Sequence, residues 1–426
     1  MKPFDRPKVG AFLWVWRAVW FLGLPIVLAY LWFRGRKDPD YFKNVRERFG
    51  VHQARQNVHI WVHAVSFGEL KSAEPLIRSL LNDGNYIVTT HITPAGRRAA
   101  QRLFAEEVQR GQLVPVWMPF DYPRAYRRFF DAFRPKFGLV MEVEIWPGMI
   151  AACAAQSVPL FLCNGQYPTR SFEKDAGKII SRRDLVSGFA GVMVKNTMQA
   201  DRFRSLGQSN VAVTGEMRFE MPINEDQVGA ALTLRGPLDA RPIVAFTSVV
   251  EGEDKTFIAA IKESGVRAIY VPRAPERFGE TAQMLEAAGL NFIRRSETLD
   301  ADLTPIGAMP TDWDVLLGDS MGEMYFYLAL CDMAVIGGGF VPKGSHNIIE
   351  PLALSKPVIV GPEIWTITYP AEEALDAKVA RQVSASNLPA ALTEPLPQGD
   401  ISAFLASHGG SVAKTLAALR AFGISV

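Results

Sequence analysis

The stretch Met333-Ala334-Val335-Ile336-Gly337-Gly338-Gly339 runs an apolar strand directly into three glycines. Gly344-Ser345-His346-Asn347 and Glu350-Pro351 follow at the start of a predicted helix. A short, wholly apolar run with a glycine turn at its end reads as a buried strand of a parallel sheet. Glycine lets a backbone approach a ligand closely, and a helix start offers unpaired N–H groups to an anion. Glu350, held near that turn, can accept both hydroxyls of a ribose. The combination suits a nucleotide-sugar better than a bare phosphate, although glycine-rich strand ends also serve purely as tight turns.

Moving outward, the same strand-and-helix alternation fills the chain. Strands are predicted at 58–62, 86–90, 138–143, 158–163, 191–195 and 210–214, and a helix at 69–81. A second series follows at 243–246, 268–271, 291–294, 315–317, 333–336 and 357–360. Short apolar strands separated by helical patterns describe α/β domains with parallel sheets covered on both faces. The segment 222–239 mixes prolines, acids and glycines, includes a short helix-like piece, and is read as an interdomain linker. Two Rossmann-like domains facing each other would bind ligands at the C-terminal ends of their strands.

At 426 residues the chain is long enough for two such domains, and its formal net charge of +2 gives no nucleic-acid groove. Cys153, Cys163 and Cys331 sit in apolar surroundings without metal-ligand spacing and read as reduced core residues, which fits a cytoplasmic catalytic face.

The N-terminus differs from the rest. Residues 9–33 are apolar except for Arg17, and Trp14, Trp16, Trp20, Tyr30 and Trp32 supply aromatic weight near both ends. The uninterrupted part, 18–33, is slightly short of the about twenty residues that cross a bilayer, but Arg17 near its start could snorkel to the headgroups, and no cleavage site is obvious after the run. An uncleaved membrane anchor is expected, with an apolar helix packed on the soluble body as the alternative. Lys2, Arg6 and Lys8 precede it and Arg34, Arg36 and Lys37 follow, so charge does not settle its orientation. The basic segment 34–55 is expected to meet anionic phospholipid.

Several strand ends carry groups able to do chemistry. After the first strand comes His63-Ala64-Val65-Ser66-Phe67-Gly68-Glu69. Gly68 would permit a sharp turn, leaving Glu69 at a helix start, where it is either a general base or a carboxylate that only meets the helix dipole. Ser66 reads as a site-organising residue or an N-cap, and His63 as a buried histidine. Glu142 and Glu144 would point to one face of an extended strand, there to hold an arginine or position the acceptor, with Glu144 the better acceptor-side candidate. They lack the further ligands a metal needs. In the second domain, Arg273 is a clamp for a phosphoryl or carboxylate group, or a loop arginine paired with an acid. Thr247 and Ser248 can donate to a phosphate, whereas Glu251 and Glu253 read as helix-start acids. The turn Gly318-Asp319-Ser320-Met321-Gly322-Glu323 repeats the strand-to-helix pattern, with Met321 packing on a base or the core.

Together these segments resemble the 3-deoxy-D-manno-octulosonic acid (Kdo) transferase family of lipid A biosynthesis. The resemblance lies in Trp61 through Glu69, Thr89-Thr90, Thr93-Pro94, Glu142 through Pro147, and Thr214-Gly215. It continues in Val271-Pro272-Arg273, Pro275 through Phe278, Gly318 through Glu323, and Gly337 through Pro351. It covers nearly the whole chain.

This resemblance implies a GT-B architecture: an anchor and basic flank at 1–37, an acceptor domain at 38–221, the linker, and a nucleotide-sugar domain at 240–426. It implies an inverting glycosyltransferase at the cytoplasmic face of the inner membrane, moving Kdo from CMP-Kdo to a lipid A precursor. No metal or other cofactor is implied. The family base falls on Glu69 and an acceptor-side acid on Glu144. Donor-binding positions fall on Arg273, Gly318, Ser320, Met321, Gly322, Glu323, Gly337, Gly338, Gly339, Asn347 and Glu350. The sequence departs from the family pattern at Ala274, at Gly165-Gln166, at Val249-Val250, and at Glu363 and Thr366. These departures leave open a related transferase with another sugar or acceptor, and a catalytically silent membrane scaffold. The number of Kdo residues added and the oligomeric state are not legible.

Overall fold

The computed structural model describes residues 7–54, 58–176, 178, 182–236, 238, 240–395 and 397–426. Lys2 and Arg6 before the apolar helix, Arg55 of the basic segment, and Pro237 and Asp239 of the predicted linker lie outside them. The chain forms two compact units, one of residues up to Met221 together with Gly409–Val426, the other Pro222–His408.

The first unit holds seven parallel strands: β1 (Ile60–His63), β2 (Ile87–His91), β3 (Leu113–Trp117), β4 (Phe137–Met141), β5 (Leu160–Gly165), β6 (Gly191–Val194) and β7 (Val211–Val213). Their order is β3-β2-β1-β4-β5-β6-β7. Ile60 stands opposite both Ile87 and Phe137. Every residue of β1, β2, β4 and β6 is buried, and β4 and β6 read as continuous apolar runs rather than alternating ones. Trp61 fits because its neighbour is Gly138, where a Cβ would fall 2.9 Å from the indole. The order reverses between β1 and β4, and the crevice beyond their carboxyl ends is where such sheets bind ligands.

The second unit repeats the plan with β8 (Ile243–Val249), β9 (Arg267–Pro272), β10 (Phe292–Arg294), β11 (Val315–Leu317), β12 (Met333–Ile336), β13 (Val358–Val360) and β14 (Ala380–Gln382). The order is β10-β11-β9-β8-β12-β13-β14, with its switch between β8 and β12. The sequence reading missed β3 and β14. Both are edge strands: β3 carries Pro115, which an edge tolerates, and β14 carries the polar pair Arg381 and Gln382.

Two boundaries differ from expectation. Most of the predicted linker belongs to the second unit: the helix Glu225–Arg235 forms there, and its Arg235 pairs with Asp332 at 3.0 Å. The helix Ser411–Ala421, expected in the second domain, belongs to the first unit. Val412, Leu416 and Leu419 join the core of Leu70, Leu76 and Leu80, and Phe422 stacks on Phe161.

At the N-terminus, α1 (Pro7–Gly35) is one apolar helix long enough to cross a membrane. Val9 and Leu13 join the first unit's core, while Phe21, Leu22 and Ile26 are exposed. The basic segment after it is partly spent on the fold. Arg48 is buried, donates to the Ile92 carbonyl and lies over Trp117, leaving Arg36, Lys37, Lys43 and Arg46 exposed.

Candidate active site

Helix α2 (Phe67–Asn82) begins directly beyond β1. Ser66 is its N-cap, accepting the Glu69 N–H at 3.5 Å, while Glu69 Oε2 accepts the Val65 N–H at 2.5 Å. The two side chains close the turn in the manner of a capping box. Gly68, expected to make a sharp turn, lies within the helix with open space around it. Burial pushes the Glu69 carboxyl up to about 7, and the nearby Glu144 and Glu142 add to the rise. A half-buried carboxylate poised near neutrality at the carboxyl end of a strand suits a general base.

His63 is buried in the strand below, its Nδ1 2.9 Å from Thr90 Oγ1, which also accepts the Trp61 indole N–H. Burial lowers its pKa to about 3. His63 is therefore a neutral core residue.

Beyond β4 the two acids part company. The strand ends at Met141, and Glu142 takes a left-handed φ of 62°, so the expected shared face does not exist. Glu144 accepts the Trp146 indole N–H at 2.6 Å. Glu142 turns into a buried polar cluster instead. It accepts Asn164 Nδ2 at 3.2 Å, Gln166 Nε2 at 2.5 Å, Lys195 Nζ at 3.1 Å and an Arg218 nitrogen at 3.3 Å. Lys195 also lies 2.7 Å from Glu216. Burial opposes charge on Glu216, but Lys195 and Arg218 outweigh it and hold the carboxyl well below the ordinary range. Two carboxylates and two cations thus balance, and Arg218 reaches on to Ser72 of α2 at 2.7 Å. This cluster fixes the loop carrying Glu144 beside the helix carrying Glu69. Sequence reasoning missed Lys195, Glu216 and Arg218. Their only signal was placement at the ends of β6 and β7.

In the second unit, Thr247 and Ser248 lie near the end of β8 and Gly337 follows β12, on the two sides of the switch point. Thr247 is buried with its hydroxyl 3.4 Å from the Val335 carbonyl, an interior partner rather than a phosphate. Ser248 has a φ of 54° beside a register shift between β8 and β9. Gly337 is required by packing, since a Cβ there would fall 2.4 Å from the Ser248 carbonyl oxygen. Gly338, at φ +89°, would press a Cβ to 2.2 Å from the Gly344 oxygen, and Gly339 to the same distance from Ser345 Oγ.

The glycine turn also holds an acid from the protein itself. Glu253 Oε1 accepts the N–H groups of Gly338 and Phe340 at 2.7 and 3.1 Å. Glu253 thus ties the turn, a role the reading as a helix-start acid did not foresee. The predicted helix beyond the turn is the five-residue Ile349–Ala353, too short to supply the expected anion site at its start. Asn347 accepts the Ile349 N–H at 3.0 Å, and Glu350 is half-buried.

Arg273 follows β9 with an exposed guanidinium that makes no hydrogen bond or ion pair among the described residues. Its charge reaches His346, whose pKa falls to about 4 through burial first and Arg273 second. The Nε2 of His346 and the Oγ of Ser345 are buried without a hydrogen-bond partner among the described residues. An unpaired cation beside unsatisfied polar atoms is the chemistry of an anion site.

The turn after β11 is built differently. Gly318 leaves room for the Tyr327 ring, Ser320 bonds to Glu323 and to Tyr327, and Glu323 holds Arg295 at 2.5 Å. Glu323 is thus occupied within the protein. Met321 is exposed, so it packs in no core, and Gly322 has a φ of +88°. Among the described residues no group of three or more His, Cys, Asp or Glu is arranged to hold a metal ion.

Against known proteins, the chain is 35% identical over 430 residues to the 3-deoxy-D-manno-octulosonic acid transferase of Bordetella pertussis, covering 95% of this chain and 99% of that one. The chain belongs to the Kdo transferase family. The Haemophilus influenzae transferase is 29% identical over 373 residues, covering 83% of this chain and 84% of its own. The family described as 3-Deoxy-D-manno-octulosonic-acid transferase (kdotransferase) matches residues 43–221. Among solved structures, a glycosyltransferase from Rickettsia africae superposes with a TM-score of 0.57 at 11% identity, covering 87% of this chain and 100% of that one. UDP-GlcNAc 2-epimerase from Neisseria meningitidis gives 0.52 at 12% identity, covering 85% and 100%. These two likenesses concern fold alone: two α/β units consistent with a GT-B-like architecture.

For a Kdo transferase, the departures fall where the structure gives them partners. Gln166 binds Glu142 in the buried cluster, and Thr366 bonds to the Ser345 carbonyl. Glu363 donates its N–H to Gly339 and accepts that of Ser345 through its own carbonyl, so its backbone closes the glycine loop.

Proposed function

We propose that this Kdo transferase moves Kdo from CMP-Kdo to a lipid A precursor with inversion at the anomeric carbon. The observation that carries the mechanism is Glu69, a half-buried carboxyl at a strand's carboxyl end with its pKa raised to about 7. Glu69 takes the proton of the acceptor hydroxyl as that oxygen attacks the anomeric carbon and CMP departs. A base of this pKa is about half ionised at neutral pH, yet binds a proton well when ionised. Glu144 orients the acceptor, and the Glu142–Lys195–Glu216–Arg218 cluster keeps its loop in place. Arg273 clamps an anionic group of CMP-Kdo, with His346 and Ser345 beside it. Donors at the departing phosphate act on charge that grows in the transition state, where they aid the reaction most. Glu350 accepts the ribose hydroxyls, and the Gly337–Gly339 and Gly318–Glu323 turns shape the nucleotide pocket.

The same reading places the enzyme at the inner membrane, with α1 as its attachment and the catalytic units in the cytoplasm. Support comes from the exposed apolar residues of α1 and from Arg36, Lys37, Lys43 and Arg46, which suit anionic phospholipid.

The test is mass-resolved transfer by the purified full chain, in detergent, from freshly generated CMP-Kdo to tetraacylated, bisphosphorylated lipid A precursor. An added Kdo mass with release of CMP is expected, and the mass counts the residues added. No product with a verified active donor would overturn the assignment.

A further inference from the structure

Helix α1 is apolar on all sides, which by composition alone reads as a membrane span. Its packing says otherwise. Val9, Leu13, Trp16, Trp20, Val27 and Leu31 recur at spacings of three, four and seven, and all are buried or half-buried. They form one stripe along the whole helix. The stripe is fastened to the first unit at successive points. Lys8 pairs with Asp184 at 2.7 Å, and Val9 and Leu13 enter the core. The Trp16 indole donates to Asp121 at 2.7 Å, and Trp20 packs on Phe120. Just past the far end, Asp38 pairs with Arg98 at 3.0 Å.

We infer that α1 lies in the plane of the lipid surface and does not cross the bilayer. From Lys8 to Gly35 the chain spans about 42 Å of helix, more than the ~30 Å hydrocarbon core. Yet both ends are tied to the same folded unit, so both stand on the same side of the membrane. Crossing would require Asp121 and Asp184 either to release their partners or to enter hydrocarbon with them. Asp121 is already committed. Its two oxygens also accept the N–H groups of Gly148 and Met149, at the start of the helix that follows Glu144.

The opposite face is what the lipid meets. Trp14, Phe21, Leu22 and Ile26 are each more than 70% exposed, and Arg17 is the only charged residue between Trp14 and Ile26. An in-plane helix normally needs a polar face turned to water. Here the protein body covers that side from Val9 to Trp20 instead, so this half of the helix can be apolar all round. Arg17, over the Trp14 ring at 5.2 Å, and Arg36, over Trp32 at 5.5 Å, supply charges for the headgroups.

The inference rests on the membrane placement proposed above, and its test does not read transfer. Full-length Val15→Cys, Leu22→Cys and Phe33→Cys variants carry an environment-sensitive fluorophore on these exposed positions. They are bound to vesicles of phosphatidylethanolamine and phosphatidylglycerol containing quenchers at shallow or deep acyl positions. An in-plane helix gives the same shallow depth at all three positions. A deep Leu22 between two shallow ends overturns the inference. Alkaline carbonate extraction of the unsubstituted chain from these vesicles gives an independent reading: release is expected, and retention in the membrane overturns it. Failure to bind vesicles, or quenching replaced by self-association through this face, also overturns it while leaving the transferase reaction untouched.

Discussion

The Oε1 of Glu253 accepts the backbone N–H of Gly338 at 2.7 Å, so a carboxylate from the start of one helix closes the glycine turn at the end of β12. The same oxygen takes the Phe340 N–H, and Oε2 takes that of Val250. Glu253→Ala leaves these N–H groups without their acceptor at a cost of about 1–3 kcal/mol for each that stays buried. For a unit of this size each kcal/mol lowers Tm by about 2–4 °C. A clear fall in the melting temperature is expected, together with weaker CMP binding because the turn loses its shape. An unchanged Tm would remove Glu253 from this role.

Glu69 makes a prediction about pH. The fold raises its carboxyl to about 7, chiefly by burial, above the value in an unfolded chain. The folded state therefore holds the proton more tightly, and the carboxyl's contribution to stability is lost as pH rises through about 7. Activity runs the other way, since only the ionised form accepts a proton. Transfer is expected to climb to a plateau above pH 7, and Glu69→Gln to lose ~10²–10⁴-fold in rate while still binding CMP. A pH–rate profile of wild type, with circular dichroism of the variant, decides the matter. Full activity in Glu69→Gln would sink the base assignment.

Lys195 sits between Glu142 and Glu216, and all three are buried. Lys195→Met leaves Arg218 as the one cation among the cluster's named residues, facing two buried carboxylates, and should destabilise the first unit by about 3–5 kcal/mol. Adding Glu216→Gln removes one of those charges and should recover part of the loss. Urea unfolding of the single and double variants measures both. Simple additivity of the two losses would show that the pair does not interact.

Much of this was legible in the sequence, and what was missed has a pattern. Strands buried on both faces announce themselves as apolar runs, so β1, β4, β8 and β12 and the residues at their ends could be placed. The edge strands β3 and β14 carry Pro115 and Arg381, and lose that signature. Glu142 and Glu144 read as sharing one face because periodicity assumes an extended backbone, and the left-handed turn at Glu142 is set by partners from residues 164, 166, 195 and 218. The return of Ser411–Ala421 to the first unit is likewise a matter of which apolar surface it meets, and adjacency in sequence carries no word of that. The glycines were recognised, but their reason was incomplete: the backbone itself crowds them before any ligand does.

Arg273 has an exposed guanidinium with no hydrogen bond or ion pair among the described residues, while His346 nearby is held neutral by burial and by that charge. An arginine with a structural task would be expected to hold a carboxylate, as Arg295 holds Glu323 and Arg277 holds Asp254. Removing Arg273 should therefore cost ligand affinity and little stability. A charge-assisted hydrogen bond contributes about 1.5–3 kcal/mol, so Arg273→Ala should weaken CMP binding by ~10–100-fold in titration calorimetry. Arg273→Lys keeps the charge but not the fork geometry, and should recover only part of the loss if the contact is bidentate. The His346 pKa should rise in Arg273→Ala and stay low in Arg273→Lys, a shift readable by NMR without any ligand. Unchanged CMP affinity alongside a raised His346 pKa would show that the charge is present at the site but does not serve the nucleotide.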